Sequence, residues 1–371
     1  MKTKVNSMNR AMRSMSGMIL AGVLIAVVGC GSSDNGSGAT TTTTGATNQP
    51  AAGGKISLTG AGSTFVNPAM LKWVDEYKKS NPNIDINYQS IGSGAGIAQY
   101  TQGTVDFGAT DAPVPDKDLG TMPPTIQVPV VAGPDVIVYN VPGVTNLKLS
   151  SGAIAGIFLG KIKTWNDPAI AADNAGAKLP STAISVAHRS DGSGTTFIFT
   201  NYLSAVNADW KNGPGAGKTV DWPVGTGGKG NDEVAGIVQK TQGGIGYTEL
   251  TYAIKNGLTY AQVKNASGEF ITASPESTAI AANGAIEALK KDIRTPIVNS
   301  SVKGAYPICG FTYILVAKTP KDAAKSKALI DFLNWDLDSG QALLGDLKYA
   351  ALPKELVDLN KTALSQVSSG N

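Results

Sequence analysis

Three times along this chain a short apolar run leads into a glycine- and hydroxyl-rich loop and then into a helical pattern. Residues 56–59 read as a strand, Gly60-Ala61-Gly62-Ser63-Thr64-Phe65 as the loop, and the residues from Pro68 onward as a helix. Ile84, Ile86 and Tyr88 alternate as a strand should, Ile91-Gly92-Ser93-Gly94-Ala95-Gly96 follows, and a short helical segment begins near Ile97. Residues 184–187 form the third strand, followed by His188-Arg189-Ser190-Asp191-Gly192-Ser193-Gly194-Thr195-Thr196 and a helix carrying Phe197, Ile198, Phe199, Tyr202 and Leu203. At such a junction the loop lies at the positive end of the helix, where backbone N–H groups lack helical partners. Glycine admits a ligand close to those groups, and Ser193, Thr195 and Thr196 add hydroxyls. Arg189 adds a planar, permanently charged fork that matches an oxyanion. The pattern therefore suits a small anion; the plainer alternative is a Ser/Thr helix cap beside a surface arginine.

Strands and helices alternate through the rest of the chain, which predicts an α/β class. The first helix should turn Met70, Val74 and Tyr77 inward with Leu71 and Trp73 beside them. Residues 105–109 form a buried strand ending in Thr110-Asp111-Ala112-Pro113. Asp111 thus sits at a strand's C-terminal end, where open α/β sheets place ligand contacts, although a turn aspartate would read the same. Two strands are predicted at 125–132 and 136–140, with helices at 153–159 and 168–174. A glycine-rich piece spans 224–230. Further on come a helix at 232–240, a strand at 245–247, a long helix at 278–292, a strand at 308–316 and a helix at 323–335. On that last helix Leu329, Ile330 and Leu333 should face inward. The chain is long enough for two cores, and no fixed-period repeat is present.

A net charge of +3 with 16% charged residues is too balanced to imply a nucleic-acid binder, and no basic cluster interleaves with aromatics. Residues 1–29 read as an export signal: Lys2, Lys4, Arg10 and Arg13 precede an apolar run at 18–28 that is too short to span a membrane. Val27-Val28-Gly29-Cys30 resembles a bacterial lipoprotein signal, which would make Cys30 the lipidated first residue; an ordinary signal cut elsewhere is the alternative. Residues 30–54, rich in Gly, Ser and Thr, read as a flexible tether. The only other cysteine, Cys309, lies in an apolar run and is expected to be a buried small hydrophobe.

Enzyme chemistry is poorly supported. Ser190-Asp191-Gly192-Ser193-Gly194 lacks the first glycine of a nucleophile elbow, and His188, the only histidine, has no assured geometry to Ser193. Gly213-Pro214-Gly215-Ala216-Gly217-Lys218-Thr219 resembles a phosphate-loop ending, but Asn212 stands where that pattern needs glycine. One histidine and one cysteine beyond Cys30 leave no metal set.

Six collinear stretches resemble the phosphate-binding protein family of the phosphate-specific ABC transporter, the PstS type. They are residues 58–65, 87–94, 105–113, 160–165, 189–195 and 227–232, and the likeness runs from about Lys55 to about Leu352. The resemblance implies a two-lobed periplasmic-binding-protein fold with two crossing strands. Lobe I would take 55–132 plus 306–371 and lobe II 133–305, with the ligand in the cleft. It implies that inorganic phosphate is held without cofactor or metal by Thr64, Phe65, Ser93, Asp111, Arg189, Ser193, Gly194 and Thr195. Phe65 and Gly194 would use their backbone N–H groups, and Asp191 would hold Arg189 from behind. It further implies a monomer that docks on ABC permease subunits, touches the membrane only through its lipid and faces the periplasm or exterior. Val66 replaces a common proline, Gly94 a common serine and His188 a common basic residue. Sulfate or molybdate as ligand, and a phosphate-sensing or adhesive lipoprotein without a transporter, remain as alternatives. Asp111 bears on the first of these. An ionised carboxylate accepts the proton that phosphate keeps at neutral pH but repels fully ionised sulfate.

Overall fold

The structure, a computed structural model, describes residues 54–367. The predicted signal segment, Cys30 and nearly all of the tether lie outside the described residues. No helix among the described residues is long and apolar enough to cross a membrane.

One curled sheet organises the chain. Its strands are β1 (Ile56–Gly62), β2 (Ile84–Ser90), β3 (Phe107–Thr110), β4 (Thr125–Asn140), β5 (Ser185–Arg189), β6 (Thr226–Gly228), β7 (Gly244–Glu249) and β8 (Cys309–Ala317). They lie in the order β2-β1-β3-β8-β4-β7-β5-β6, and Thr259–Tyr260 pairs with β4 off this path. At one end β1, β2 and β3 run parallel, and at the other β5, β6 and β7 do. Between these ends β4 and β8 run antiparallel to their neighbours.

β4 is the strand that joins the two ends. Residues 125–134 pair with β8, and from Asp135 onward the strand pairs with β7. The sequence predicts two strands separated at Gly133-Pro134-Asp135, whereas the structure has one continuous strand. Pro134 cannot donate to a ladder, but it falls where β4 exchanges one neighbour for the other, so the strand passes through without a break. β8 is the second crossing element, and it carries a bulge between Thr312 and Tyr313.

The helices cover the sheet as their apolar spacing requires. α1 (Asn67–Ser80) starts with Pro68 in its first turn and buries Ala69, Met70, Trp73 and Tyr77. Leu71, expected on this face, points away and is 57% exposed, because a one-residue step turns it about 100° from Met70. α2 (Ser93–Gln102) begins at Ser93 rather than near Ile97. It lies so close to β1 that a Cβ on Gly96 would stand 2.3 Å from Gly62 Cα. α3 (Gly194–Val206) follows β5, α4 (Gly230–Lys240) follows β6, and the short α5 (Leu250–Lys255) follows β7. The long helix expected at 278–292 is two pieces, Pro275–Gly284 and Ile286–Leu289. The first starts earlier than expected because Ser274 and Ser277 form a capping box ahead of the periodic residues. Glycine at its end, a poor helix former, marks the break. The helix expected at 323–335 spans Ala323–Asp338, with Leu329 and Leu333 buried and Ile330 half-buried. It returns to pack on β1 and α1, while Lys354–Leu364 packs on β4. Cys309 is buried as a free thiol, and burial pushes its pKa up to about 12.

Candidate functional site

The C-terminal ends of the parallel strands at both ends of the sheet turn toward one another. Each hands its chain to a loop or helix start, and the predicted site residues lie there. On the β1 side, Asp111 follows β3 and is nearly fully buried. Ser63 Oγ donates to its carboxylate, 2.6 Å from Oδ1 and 2.7 Å from Oδ2. Thr312 Oγ1, from the bulge in β8, donates to Oδ1 at 2.6 Å, and Ser93 Oγ lies 3.4 Å from Oδ2. Phe65 contributes its backbone N–H, which meets Ser63 Oγ at 3.0 Å, while its ring is packed in the core. Tyr252 and Tyr349 hold the carbonyls of Thr64 and Phe65 through their hydroxyls, at 2.5 and 2.6 Å.

On the β5 side, Arg189 ends its strand with a buried side chain. Asp191 grips it in a two-bond fork, Nε to Oδ1 at 2.7 Å and Nη2 to Oδ2 at 2.6 Å. That leaves Nη1 directed at Thr195 Oγ1, 3.2 Å away. Burial pushes the Asp191 carboxyl up, but the Arg189 fork and the Gly230 N–H outweigh it and hold the pKa below the usual range. Ser193 caps α3 by accepting from Thr196 N–H at 3.0 Å. The core reaches this loop through Tyr247, whose hydroxyl meets Arg189 N–H and Thr196 Oγ1 while its ring stacks on Phe199 at 4.5 Å.

The two sides touch. Gly94 N–H donates to Gly192 O at 2.7 Å, and Gly194 N–H donates to Ser93 Oγ at 3.1 Å. A Cβ on Gly94 would lie 3.1 Å from Gly192 Cα, so the common serine would be pressed against the opposite backbone here. All eight ligand positions expected from sequence are thus buried close together where the two sides meet, with Asp191 directly behind Arg189. Most of these groups are hydrogen-bond donors, and the exception is the Asp111 carboxylate. Burial raises its pKa to about 6 against the opposing hydrogen bonds of Ser63 and Thr312 and the charge of Arg189. It is therefore ionised at neutral pH.

The sequence reading missed several residues here. Ser63 lies inside the first loop, but its bond to Asp111 spans the fold. Asn231, at the start of α4, is fully buried and meets both Thr64 Oγ1 and Thr195 Oγ1. Thr312 and Thr248 come from strands and carry no local signal. Asp135 and Glu249 face each other across β4 and β7, both fully buried. Burial raises the Glu249 pKa to about 8 and that of Asp135 well above the carboxylate range.

His188 stacks on Trp222 at 4.8 Å with Nδ1 against the Arg189 carbonyl, so its ring is occupied on β5. The 213–219 segment follows the short helix Ala208–Asn212 rather than a strand, and Lys218 O accepts Ser193 N–H at 2.9 Å. That segment buttresses the Ser193 loop.

A sheet bridged by two crossing strands, with donor-lined loops of both ends meeting in one cleft, defines the periplasmic-binding-protein class. The PBP superfamily domain model matches residues 37–339. The phosphate-binding protein PstS of Xylella fastidiosa (strain Temecula1) is 45% identical over 81% of this chain and 83% of its own length. The PstS of Methanocaldococcus jannaschii is 35% identical over 98% of both chains. The crystal structure of a phosphate-binding protein from Stenotrophomonas maltophilia shares the fold, with a TM-score of 0.59 and 20% identity over 83% of this chain and 93% of its own. The chain belongs to the PstS phosphate-binding protein family.

Proposed function

We propose that this protein binds one inorganic phosphate in the cleft and delivers it to a phosphate-specific ABC importer, without hydrolysing anything. The observation that carries this reading is the pairing of convergent donors with one buried acceptor. Arg189, the hydroxyls of Ser93, Ser193, Thr64 and Thr195, and the N–H groups of Phe65 and Gly194 suit the oxygens of a tetrahedral anion. Asp111 suits the one proton that such an anion keeps if it is phosphate. Relatives named phosphate-binding protein PstS support the same ligand.

The finer features belong to the same proposal. Residues 55–132 with 306–371 form lobe I and 133–305 lobe II, and the exchange of partners at Pro134 and Asp135 of β4 supports that division. Residues 1–29 direct export, and lipid on Cys30 anchors the chain with residues 31–54 as its tether. The protein works as a monomer, and its exposed large apolar side chains among the described residues, such as Leu71 and Ile254, are few.

Equilibrium binding of labelled phosphate to the purified mature protein tests the reading. One site per chain and no release of phosphate from phosphate esters are expected. Absence of binding at millimolar phosphate refutes it.

A further inference from the structure

Thr64 and Thr195 come from opposite sides of the cleft and meet at one amide. Asn231 Nδ2 donates to Thr64 Oγ1 at 2.9 Å and to Thr195 Oγ1 at 3.2 Å. Its backbone N–H reaches Thr64 Oγ1 a second time, at 3.3 Å. Arg189 Nη1 reaches Thr195 Oγ1, also at 3.2 Å. The far end of the amide is fixed as well: Oδ1 accepts from Thr248 Oγ1 at 3.1 Å and from Glu249 N–H at 3.4 Å. A backbone N–H can only donate, so the amide cannot be flipped.

A hydroxyl has two lone pairs and one proton. Thr64 Oγ1 receives two N–H groups and so does Thr195 Oγ1. Both lone pairs of each are used, and each hydroxyl is left with only its proton to give. We propose that Asn231 sets the hydroxyl polarity of Thr64 and Thr195, making both obligate donors toward the bound anion, and is thereby a positioning residue of the binding site. This rests on the phosphate reading of the cleft. It assigns a ligand-directed task to a residue that touches the anion only through two others. It also links the two sides, since the same amide that orients Thr195 orients Thr64 across the cleft.

The discriminating variant is Asn231→Asp. Its outer oxygen still accepts from Thr248 and Glu249, so the attachment to β7 is kept. Its inner oxygen is an acceptor and draws both threonine protons away from the ligand. The assay measures labelled-phosphate affinity for wild type, Asn231→Asp, Thr64→Val and Thr195→Val, and for Asn231→Asp combined with each valine change. Asn231→Asp is expected to weaken binding by roughly 100-fold or more, since reversed hydrogen bonds leave buried groups mismatched. In either valine background the same change should cost several-fold less, because one of the two hydroxyls it acts through is gone. An equal factor in all three backgrounds overturns the proposal, since an added charge or a general structural defect would multiply through unchanged. Should Asn231→Asp lack a native circular dichroism spectrum, Asn231→Ala enters the same cycle with the same criterion. Wild-type protein that binds no phosphate refutes the ligand reading and this inference with it, whereas binding with equal factors refutes only the role of Asn231.

Discussion

Lowering the pH should admit sulfate to this site, and the size of the effect follows from Asp111. Sulfate stays fully ionised across the range in which proteins are handled, so it brings no proton for a carboxylate to accept. It can enter only when Asp111 itself is protonated and becomes a donor. Burial places that proton's pKa at about 6, so the competent fraction is about one part in a hundred at pH 8 and most of the protein at pH 5. Sulfate affinity should therefore rise roughly 100-fold from pH 8 to pH 5, about tenfold per unit above pH 6 and little below it. Thr312 can turn its hydroxyl to accept, so the protonated form is not forbidden. The assay is competition of sulfate against labelled phosphate at fixed ionic strength, repeated at each pH. Asp111→Asn supplies an N–H donor at every pH, so its sulfate affinity should be flat and its phosphate preference reduced. A flat wild-type profile, or an Asn variant with the wild-type slope, would show that Asp111 is not what separates the two anions.

Arg189→Ala should weaken phosphate binding by roughly 2–5 kcal/mol, because it also leaves Asp191 without its partner in a nearly dry cleft; Arg189→Lys should recover only part of this, and calorimetric titration compares them. Glu249→Gln should stabilise the fold. The wild-type carboxyl holds its proton to about pH 8 when folded, against an ordinary value of 4.5, so its contribution is complete below 4.5 and is lost as pH rises through that window. The variant should thus gain roughly 3 kcal/mol over wild type at pH 7 and almost nothing at pH 4.5, as read by urea denaturation at both values; equal gains would show that Glu249 is not held protonated. Cys30→Ser should move the protein from the membrane fraction to the soluble one, and continued sedimentation with membranes would remove the lipid anchor from the proposal.

The loops were legible where chemistry is local. Ser193 caps its own helix, Arg189 and Asp191 are two residues apart, and Thr64 and Ser93 sit in glycine-rich junctions, so short windows expose them. What escaped is held by distance along the chain. Ser63 is meaningful only beside Asp111, and Thr312 only through the bulge that aims it there. Asn231 had a faint signal, since it opens a helix after the 227–230 glycine run, but that junction lacks the serines and threonines that mark the others. The continuity of β4 was hidden for a different reason. Gly133 and Pro134 are ordinary strand breakers, and only the exchange of one neighbouring strand for the other makes them tolerable there. Leu71 shows the reverse error, an apolar residue read as core that the helical step carries to the surface.

Arg189 stands in the cleft with two ionised carboxylates, Asp191 and Asp111, while burial pushes the Asp135 and Glu249 carboxyls toward their neutral forms. Asp191 and Asp111 outweigh Arg189, so an anion held there would be held against the local field by aimed dipoles. Counterions screen exposed charges over about 10 Å at 0.1 M salt, but buried pairs and hydrogen bonds are screened much less. Affinity in such a site should change little between dilute medium and molar salt. The arrival rate should lack the steep salt dependence that a positively charged funnel would confer. Ligand capture would then be decoupled from the ionic strength of the surrounding medium.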